Sequence, residues 1–295
     1  FKALNDWPLR LLFELNRKNT YLCESTTAGV TETERASDMI IKQRQVSSKK
    51  PAAGCLLAFS HQWGVLRDPR LSDIPRYILE PPYQRALWQK YLTDIADDNL
   101  GGIIGREGKG CIVYVLSSMD NEGCLEQDTN FLNLFRETLQ VFRLHTPNAT
   151  IVIKRHPATR PDYFEQQNIV LNEFQDLNIE ITVVHPQLLA RIADVFIANF
   201  YSSTFDAARS QNVPTIEYTA YPQDILNVTH GKSTRPDMTS QFIQRDTNRL
   251  AYALRGYIEA GRKKEASYSF ERSDCGDYDA VLSELLERPL SQRQQ

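Results

Sequence analysis

Between residues 111 and 220 the chain alternates short apolar runs with longer amphipathic segments. The apolar runs have the length of strands and are rich in β-branched residues, which is typical of strands buried on both faces. They occupy residues 111–116, 150–154, 179–184, 195–198 and 215–218. The segments 131–144, 188–193 and 205–210 carry apolar residues at helical spacing. Because strands that alternate with helices pair in parallel, the pattern predicts an α/β fold built on a doubly wound parallel sheet.

The rest of the chain is less regular. Residues 20–23 predict a strand that ends at Glu24, and residues 83–95 predict an aromatic-rich helix. Five glycines between residues 101 and 110 are typical of a linker. Amphipathic segments at 247–261 and 278–287 predict helices near the C-terminus. We therefore expect three parts: an N-terminal domain over 1–105, a second domain over 106–245, and C-terminal helices within 246–295.

Composition narrows the functional classes. The 295 residues carry a formal net charge of -3, which argues against general nucleic-acid binding. The five cysteines are scattered without CxxC spacing, so they indicate neither a disulfide framework nor a metal site, and they favour a reducing cytoplasm. No apolar run approaches the roughly 20 residues of a transmembrane helix, and the start lacks a signal-peptide pattern. The missing initiator Met is expected of a fragment.

Cationic and imidazole groups follow the apolar run 150–154. Lys154, Arg155 and His156 emerge where this strand ends, and Pro157 biases the backbone of His156 toward an extended conformation. Open α/β sheets bind ligands at the carboxyl ends of their strands. These residues are therefore candidates for binding an anion such as phosphate. The alternative is that His156 only bonds a backbone carbonyl at the strand end.

Hydroxyl groups follow the apolar run 195–198 and precede a helical segment. Tyr201, Ser202, Ser203 and Thr204 would present small donors and unpaired backbone N–H groups at a helix N-terminus, a position that attracts phosphate. The alternative is an N-cap that serves only its own helix. Two or three consecutive hydroxyls exceed what a cap requires, so we favour a phosphate site.

Carboxylates supply the candidates for catalysis. Glu217 lies within an apolar run, where a carboxylate is costly without a partner; a ribose diol or a neighbouring basic residue would serve. Glu24, Asp120 and Asp128 are candidate general bases or nucleophiles. Their alternative roles are structural: a surface ion pair for Glu24 and a helix cap for Asp128.

Several nucleotide and hydrolase motifs are absent from the sequence, namely GxGxxG, GxxxxGK[ST], GxSxG and HExxH. Their absence disfavours dehydrogenases, P-loop NTPases, serine hydrolases and zincins.

The arrangement resembles the bacterial surface-polysaccharide glycosyltransferases of the two-domain GT-B type, especially the capsule and lipopolysaccharide Kdo transferases. Teichoic acid glycerophosphotransferases share a similar layout. In these families a strand ending in His-Pro, here His156 and Pro157, precedes a serine pair that opens a helix, here Ser202 and Ser203. A strand with a proline near its start follows, here 213–217. The resemblance covers about residues 111–220.

The resemblance implies two Rossmann-like domains with parallel sheets and a nucleotide cleft between them. The second domain would hold a nucleotide-linked sugar, and the C-terminal helices would pack back on the N-terminal domain. His156 and the hydroxyls of 202–204 would bind the phosphate, with Glu217 near the ribose. Glu24, Asp120 or Asp128 would deprotonate the acceptor or attack the anomeric carbon.

The resemblance also implies the reaction partners. The donor would be CMP-linked, as for Kdo, and neither a cofactor nor a metal would be needed. The acceptor would be a growing glycan or glycolipid. The protein would be cytoplasmic, and other domains or partners would hold it at the inner face of the membrane. Three rivals remain open: a UDP-sugar epimerase, a glycerophosphotransferase on the same fold, and a noncatalytic glycan-binding module.

Overall fold

The computed structural model describes residues 21–24, 54–58, 76–79, 86–96, 98–100, 110–116, 125–155, 161–233, 236 and 238–261. The chain divides into two compact units. The first unit comprises Phe1–Arg85 with Ser269–Gln295, and the second comprises Ala86–Tyr268.

The first unit contains a three-stranded parallel sheet. Its strands are β1 (Tyr21–Glu24), β2 (Gly54–Ala58) and β3 (Arg76–Leu79), in the order β1-β2-β3. The strand predicted at 20–23 is confirmed, and Glu24 is its last residue, as expected.

The second unit contains a six-stranded parallel sheet in the order β6-β5-β4-β7-β8-β9. Its strands are β4 (Cys111–Val115), β5 (Thr150–Lys154), β6 (Asn178–Thr182), β7 (Val195–Ala198), β8 (Thr215–Thr219) and β9 (Gln241–Gln244). Its helices are α1 (Ala86–Asp94), α2 (Phe131–His145), α3 (Pro161–Asn172), α4 (Pro186–Leu189), α5 (Thr204–Arg209), α6 (Gln223–Val228) and α7 (Thr247–Ala260). The predicted class, α/β with parallel sheets, is confirmed.

The central strands are continuous apolar runs because helices and loops cover both faces of the sheet. All four residues of β7 are buried, as are the first four of β5. Helix α2 covers one face with buried side chains at helical spacing, including Phe135, Leu139 and Phe142.

The division between the units differs from the expected boundary at residue 105. Leu92 and Leu100 are buried in the same core cluster as Val113 and Phe196, so α1 belongs to the second unit. The glycine-rich segment therefore lies inside that unit along the chain. Its composition suggested a linker, but the packing of the preceding helix determines where the unit begins.

Helix α7 is also part of the second unit. Leu250 and Leu254 are fully buried, and the helix packs against α2. The segment Ser269–Gln295 belongs to the first unit, and the packing of the C-terminal helices on the N-terminal domain stays a prediction. The other predicted tail helix, at 278–287, lies outside the described residues.

Strand β6 forms one edge of the six-stranded sheet, and no described strand pairs with its outer side. Ile181 within it is 48% exposed, and Val183 just beyond it is 89% exposed. Within the described ranges, no helix is long and apolar enough to cross a membrane.

Candidate functional site

The sheet of the second unit reverses its strand order between β4 and β7. From β4 the chain continues to β5 and β6 on one side, then returns to β7 on the other side of β4. Ligands of open α/β sheets bind at such a switch point, outside the carboxyl ends of the strands. The structure therefore points to the residues that follow β4, β5 and β7.

Asn199 fixes the backbone at the end of β7. Its side-chain oxygen accepts a hydrogen bond from the buried hydroxyl of Tyr114. Its amide nitrogen donates to Thr138 Oγ1 at 3.2 Å and to the Tyr218 carbonyl at 3.0 Å. This anchoring role was not predicted, although a polar residue at the end of an apolar strand was its signal in the sequence.

The predicted hydroxyl-bearing segment lies at the switch point, after β7 and at the start of α5. The Tyr201 ring is buried, and its hydroxyl donates to Asp206 Oδ1 at 2.7 Å. Ser202 Oγ accepts from the N–H and the hydroxyl of Thr204, at 3.3 and 3.0 Å. Ser203 occupies the N-cap position, but its exposed side chain makes no capping bond. Ser202 and Ser203 thus stand beside the switch point, whereas the Tyr201 hydroxyl is engaged inside the protein.

Lys154 ends β5, the neighbour of β4. Its side chain is half-buried, and burial lowers the pKa of its ammonium group. No acidic side chain in the described ranges forms an ion pair with it. A partly desolvated cation without a carboxylate partner is suited to hold an anionic ligand.

Arg155 is directed elsewhere. Its guanidinium donates to Asn168 and lies 5.0 Å from the centre of the Phe164 ring, both on α3. Burial lowers the pKa of this group as well. The structure thus packs Arg155 against a helix. His156 and Pro157 lie outside the described residues, and their role stays a prediction.

His185 is a second imidazole near Lys154. It caps α4, where its Nδ1 accepts from the N–H of Gln187 at 3.3 Å, and its ring stands edge-on to Trp88 at 5.6 Å. Burial and the charge of Lys154 lower its pKa, which favours the neutral ring. His185 was not among the site residues predicted from the sequence. Its signal was a His-Pro pair after an apolar run, as at His156.

Glu217 is completely buried in β8. Its carboxylate accepts hydrogen bonds from the hydroxyls of Tyr221 and Ser233. Burial raises its pKa, and these bonds act in the opposite direction. Its observed partners are hydroxyls, whereas the sequence had suggested a basic residue or a ribose. The ribose contact stays a prediction.

Two of the three candidate catalytic carboxylates lie among the described residues. Glu24 ends β1 in the first unit, and Asp128 is exposed in the turn before α2. The cap of α2 is Asn130, whose side chain accepts from the Asn133 N–H at 2.8 Å, so Asp128 is not the helix cap. Asp120 lies outside the described residues. Within the described part of the chain, no group of three or more His, Cys, Asp or Glu side chains could hold a metal.

No protein-family model matches the chain, and no curated protein matches it in sequence. Among solved structures, the chain is similar to a variant of the wall teichoic acid polymerase TagF, at 12% identity and a TM-score of 0.48. That match covers 86% of this chain and 61% of TagF. The chain thus spans less than two thirds of the length of this neighbour.

Two further similar structures contain bound nucleotides. HepE from Anabaena in complex with UDP-glucose has 11% identity and a TM-score of 0.45, over 90% of this chain and 70% of that one. TcCGT1 in complex with UDP has 11% identity and a TM-score of 0.49, over 99% of this chain and 75% of that one. Likeness at this level does not decide function.

Proposed function

We propose that the chain is a glycosyltransferase that moves a sugar from a nucleotide donor to a glycan or glycolipid acceptor. The donor nucleotide binds the second unit at the carboxyl ends of its strands. The observation that supports this most is the position of Lys154 and of the segment Ser202–Thr204. Lys154 ends β5 and the segment follows β7, and these two strands lie on opposite sides of β4, next to the switch point.

The chemistry of these groups suits a leaving phosphate. As the bond between the anomeric carbon and the phosphate oxygen breaks, negative charge grows on that oxygen. The Lys154 ammonium and the hydroxyls of Ser202 and Ser203 are preorganised donors for this charge. Helix α5 has only six residues, so the hydroxyls and the cation carry the argument here rather than its dipole.

Transfer also requires an acceptor hydroxyl that loses its proton as it attacks the anomeric carbon. Glu24, Asp120 and Asp128 remain the candidates for accepting that proton, as the family resemblance implies. The same resemblance supports the finer proposal of a CMP-linked donor such as CMP-Kdo. It also supports a role in bacterial capsule or lipopolysaccharide synthesis at the inner face of the membrane, without a metal.

Calorimetric titration with CMP, UDP and CDP tests the proposal. We expect saturable binding of one of them, weakened about 10- to 150-fold by Lys154→Met, since a charged hydrogen bond contributes about 1.5–3 kcal/mol. Lys232→Met, at an exposed lysine after α6, is the matched control and should bind as the wild type does. A wild-type protein that binds none of the three nucleotides would contradict the proposal.

The identity of the nucleotide and the product then separates the enzymes on this fold. Preference for CMP supports the Kdo-type donor, whereas preference for UDP overturns that finer proposal. Conversion of a UDP-sugar to its epimer without an acceptor would identify an epimerase. Transfer that survives alanine substitution of Glu24, Asp120 and Asp128 in turn would remove these carboxylates from the mechanism.

A further inference from the structure

A small cavity lies beside the switch point of the six-stranded sheet. Leu116 and Asn199, which directly follow β4 and β7, line it together with Gln167 of α3 and with Phe131 and Phe135 of α2. Its volume is about 10 Å³. A polar cavity needs roughly 10–15 Å³ to hold one water molecule. A single water therefore fills this cavity, and a larger ligand would not enter it.

Gln167 brings a buried hydrogen-bond acceptor to the cavity. It lies between Tyr163 and Val170 on the buried face of α3, and only 1% of its surface is exposed. Its Oε1 is buried, and no described residue donates a hydrogen bond to it. An unpaired buried acceptor costs the desolvation of that group, so most such groups are bonded to protein or to ordered water. Oε1 thus requires a donor from within the cavity.

Asn199 supplies a second amide oxygen. Its own contacts assign its two side-chain ends, because Nδ2 donates to Thr138 Oγ1 at 3.2 Å and to the Tyr218 carbonyl at 3.0 Å. Its Oδ1 accepts from the Tyr114 hydroxyl. An amide oxygen has two lone pairs, so Oδ1 has capacity for one more donor.

These two oxygens define the chemistry of the occupant. A group that bonds both of them must donate twice, which an anion cannot do. None of the described side chains that line the cavity carries a charge, so a cation such as ammonium would be buried without a counter-charge. A water molecule is neutral, donates twice and has the size of the cavity.

We propose that this cavity binds one water molecule, which donates to Gln167 Oε1 and to Asn199 Oδ1. The water joins α3, the helix that follows β5 and Lys154 along the chain, to the end of β7, which precedes Ser202. It therefore connects the two sides of the switch point. This inference goes beyond the proposed function, and its test needs no nucleotide.

A crystal structure of the wild-type protein that resolves ordered waters tests the site directly. We expect density for a single water within hydrogen-bond distance of both amide oxygens, and no such density in Gln167→Met. A dry cavity in the wild type, or a water that contacts only one of the two oxygens, would overturn the proposal.

The stability of Gln167→Met tests the same site in solution, because the two states of the cavity predict different results. Methionine has a similar size but no acceptor. If water bridges the two amides, the variant loses both bonds, and the equilibrium constant for unfolding in urea titrations should rise at least about fivefold. If Oε1 is unpaired, removing it relieves a cost, and that constant should stay the same or fall.

Gln166→Met is the matched control. Gln166 precedes Gln167 on the same helix but is exposed, so this change should alter the unfolding constant by less than about threefold. A change in Gln167→Met that is no larger than in the control, or that stabilises the protein, would overturn the inference.

Discussion

The Glu217 carboxyl group makes stability depend on pH. Burial raises its pKa above the ordinary glutamate value, so the folded protein retains this proton at a pH where the unfolded chain has released it. The stabilisation is thus complete below the unfolded pKa and is lost as pH rises through the folded pKa. In urea titrations over a pH series, the free energy of unfolding of wild type relative to Glu217→Gln should fall across this window. A difference that stays constant with pH would contradict the shift.

Gly110 is required where the chain enters β4. Its φ is +124°, and a Cβ there would lie 2.7 Å from Ile258 Cγ2 on α7. We expect Gly110→Ala to lower the free energy of unfolding by about 1–3 kcal/mol, through backbone strain and displacement of that side chain. Gly256→Ala is the control, since a Cβ at this helical position meets nothing within 4 Å. It should stabilise α7 by up to about 1 kcal/mol, and equal effects of the two changes would refute this reasoning.

For individual residues, the sequence predicted which of them end the strands, but it did not predict which groups their side chains contact. Lys154 and Ser202 were predicted because polar residues directly follow apolar runs. Arg155 was placed in the same group, yet its direction depends on Asn168 and Phe164, which lie on a helix that the sequence did not suggest. The cost of burying Glu217 was foreseen, whereas its hydroxyl partners are assembled only by the tertiary fold.

The two serine hydroxyls at the start of α5 should contribute differently to stability, although both should contribute to nucleotide binding. Ser203 is exposed and makes no capping bond, so Ser203→Ala should change the free energy of unfolding by less than about 0.5 kcal/mol. Ser202→Ala loses two acceptor contacts to Thr204 and should lower stability by about 0.5–1.5 kcal/mol. Both should weaken nucleotide binding in calorimetry. Unchanged affinity in Ser203→Ala would remove this hydroxyl from the phosphate site.

The predicted strands and helices differ in a consistent way from those observed. Strands β4, β5, β7 and β8 match their predictions closely, because each is a buried apolar run. Strand β9 and helix α3 were not predicted. Only two residues of the sequence Gln-Phe-Ile-Gln in β9 are apolar, and α3 buries Gln167 between the apolar positions Tyr163 and Val170. Edge strands and helices with a narrow apolar stripe give weak periodic signals.

Across the second unit, ligand contacts should be confined to the end of the sheet where the carboxyl ends of its strands lie. On addition of the nucleotide that binds, we expect slower amide exchange at residues 202–204 and at Leu116, beyond the carboxyl ends of β7 and β4. Amides at the amino ends of the strands, such as those of Cys111, Thr150 and Asp194, serve as internal controls, and their exchange should be unaffected. Slower exchange at the amino ends of the strands would contradict the proposed location of the nucleotide site.

For the molecule as a whole, the sequence predicted the parallel α/β class but not the strand order. Alternating strands and helices imply parallel pairing, whereas the reversal between β4 and β7 depends on which side of β4 each later strand occupies. The unit boundary was misplaced for a similar reason. A glycine-rich segment is visible locally, but the burial of Leu92 and Leu100 against the following domain is not.

The outer side of β6 has a consequence for handling the protein. Backbone N–H and C=O groups on an edge strand can pair with the same strand of another molecule, and an exposed Ile181 and Val183 beside them would add apolar contact. Glu180 directly precedes Ile181 in β6, and its charge is the nearest one that opposes such stacking. Removal of this charge in Glu180→Gln should therefore lower the solubility of the protein.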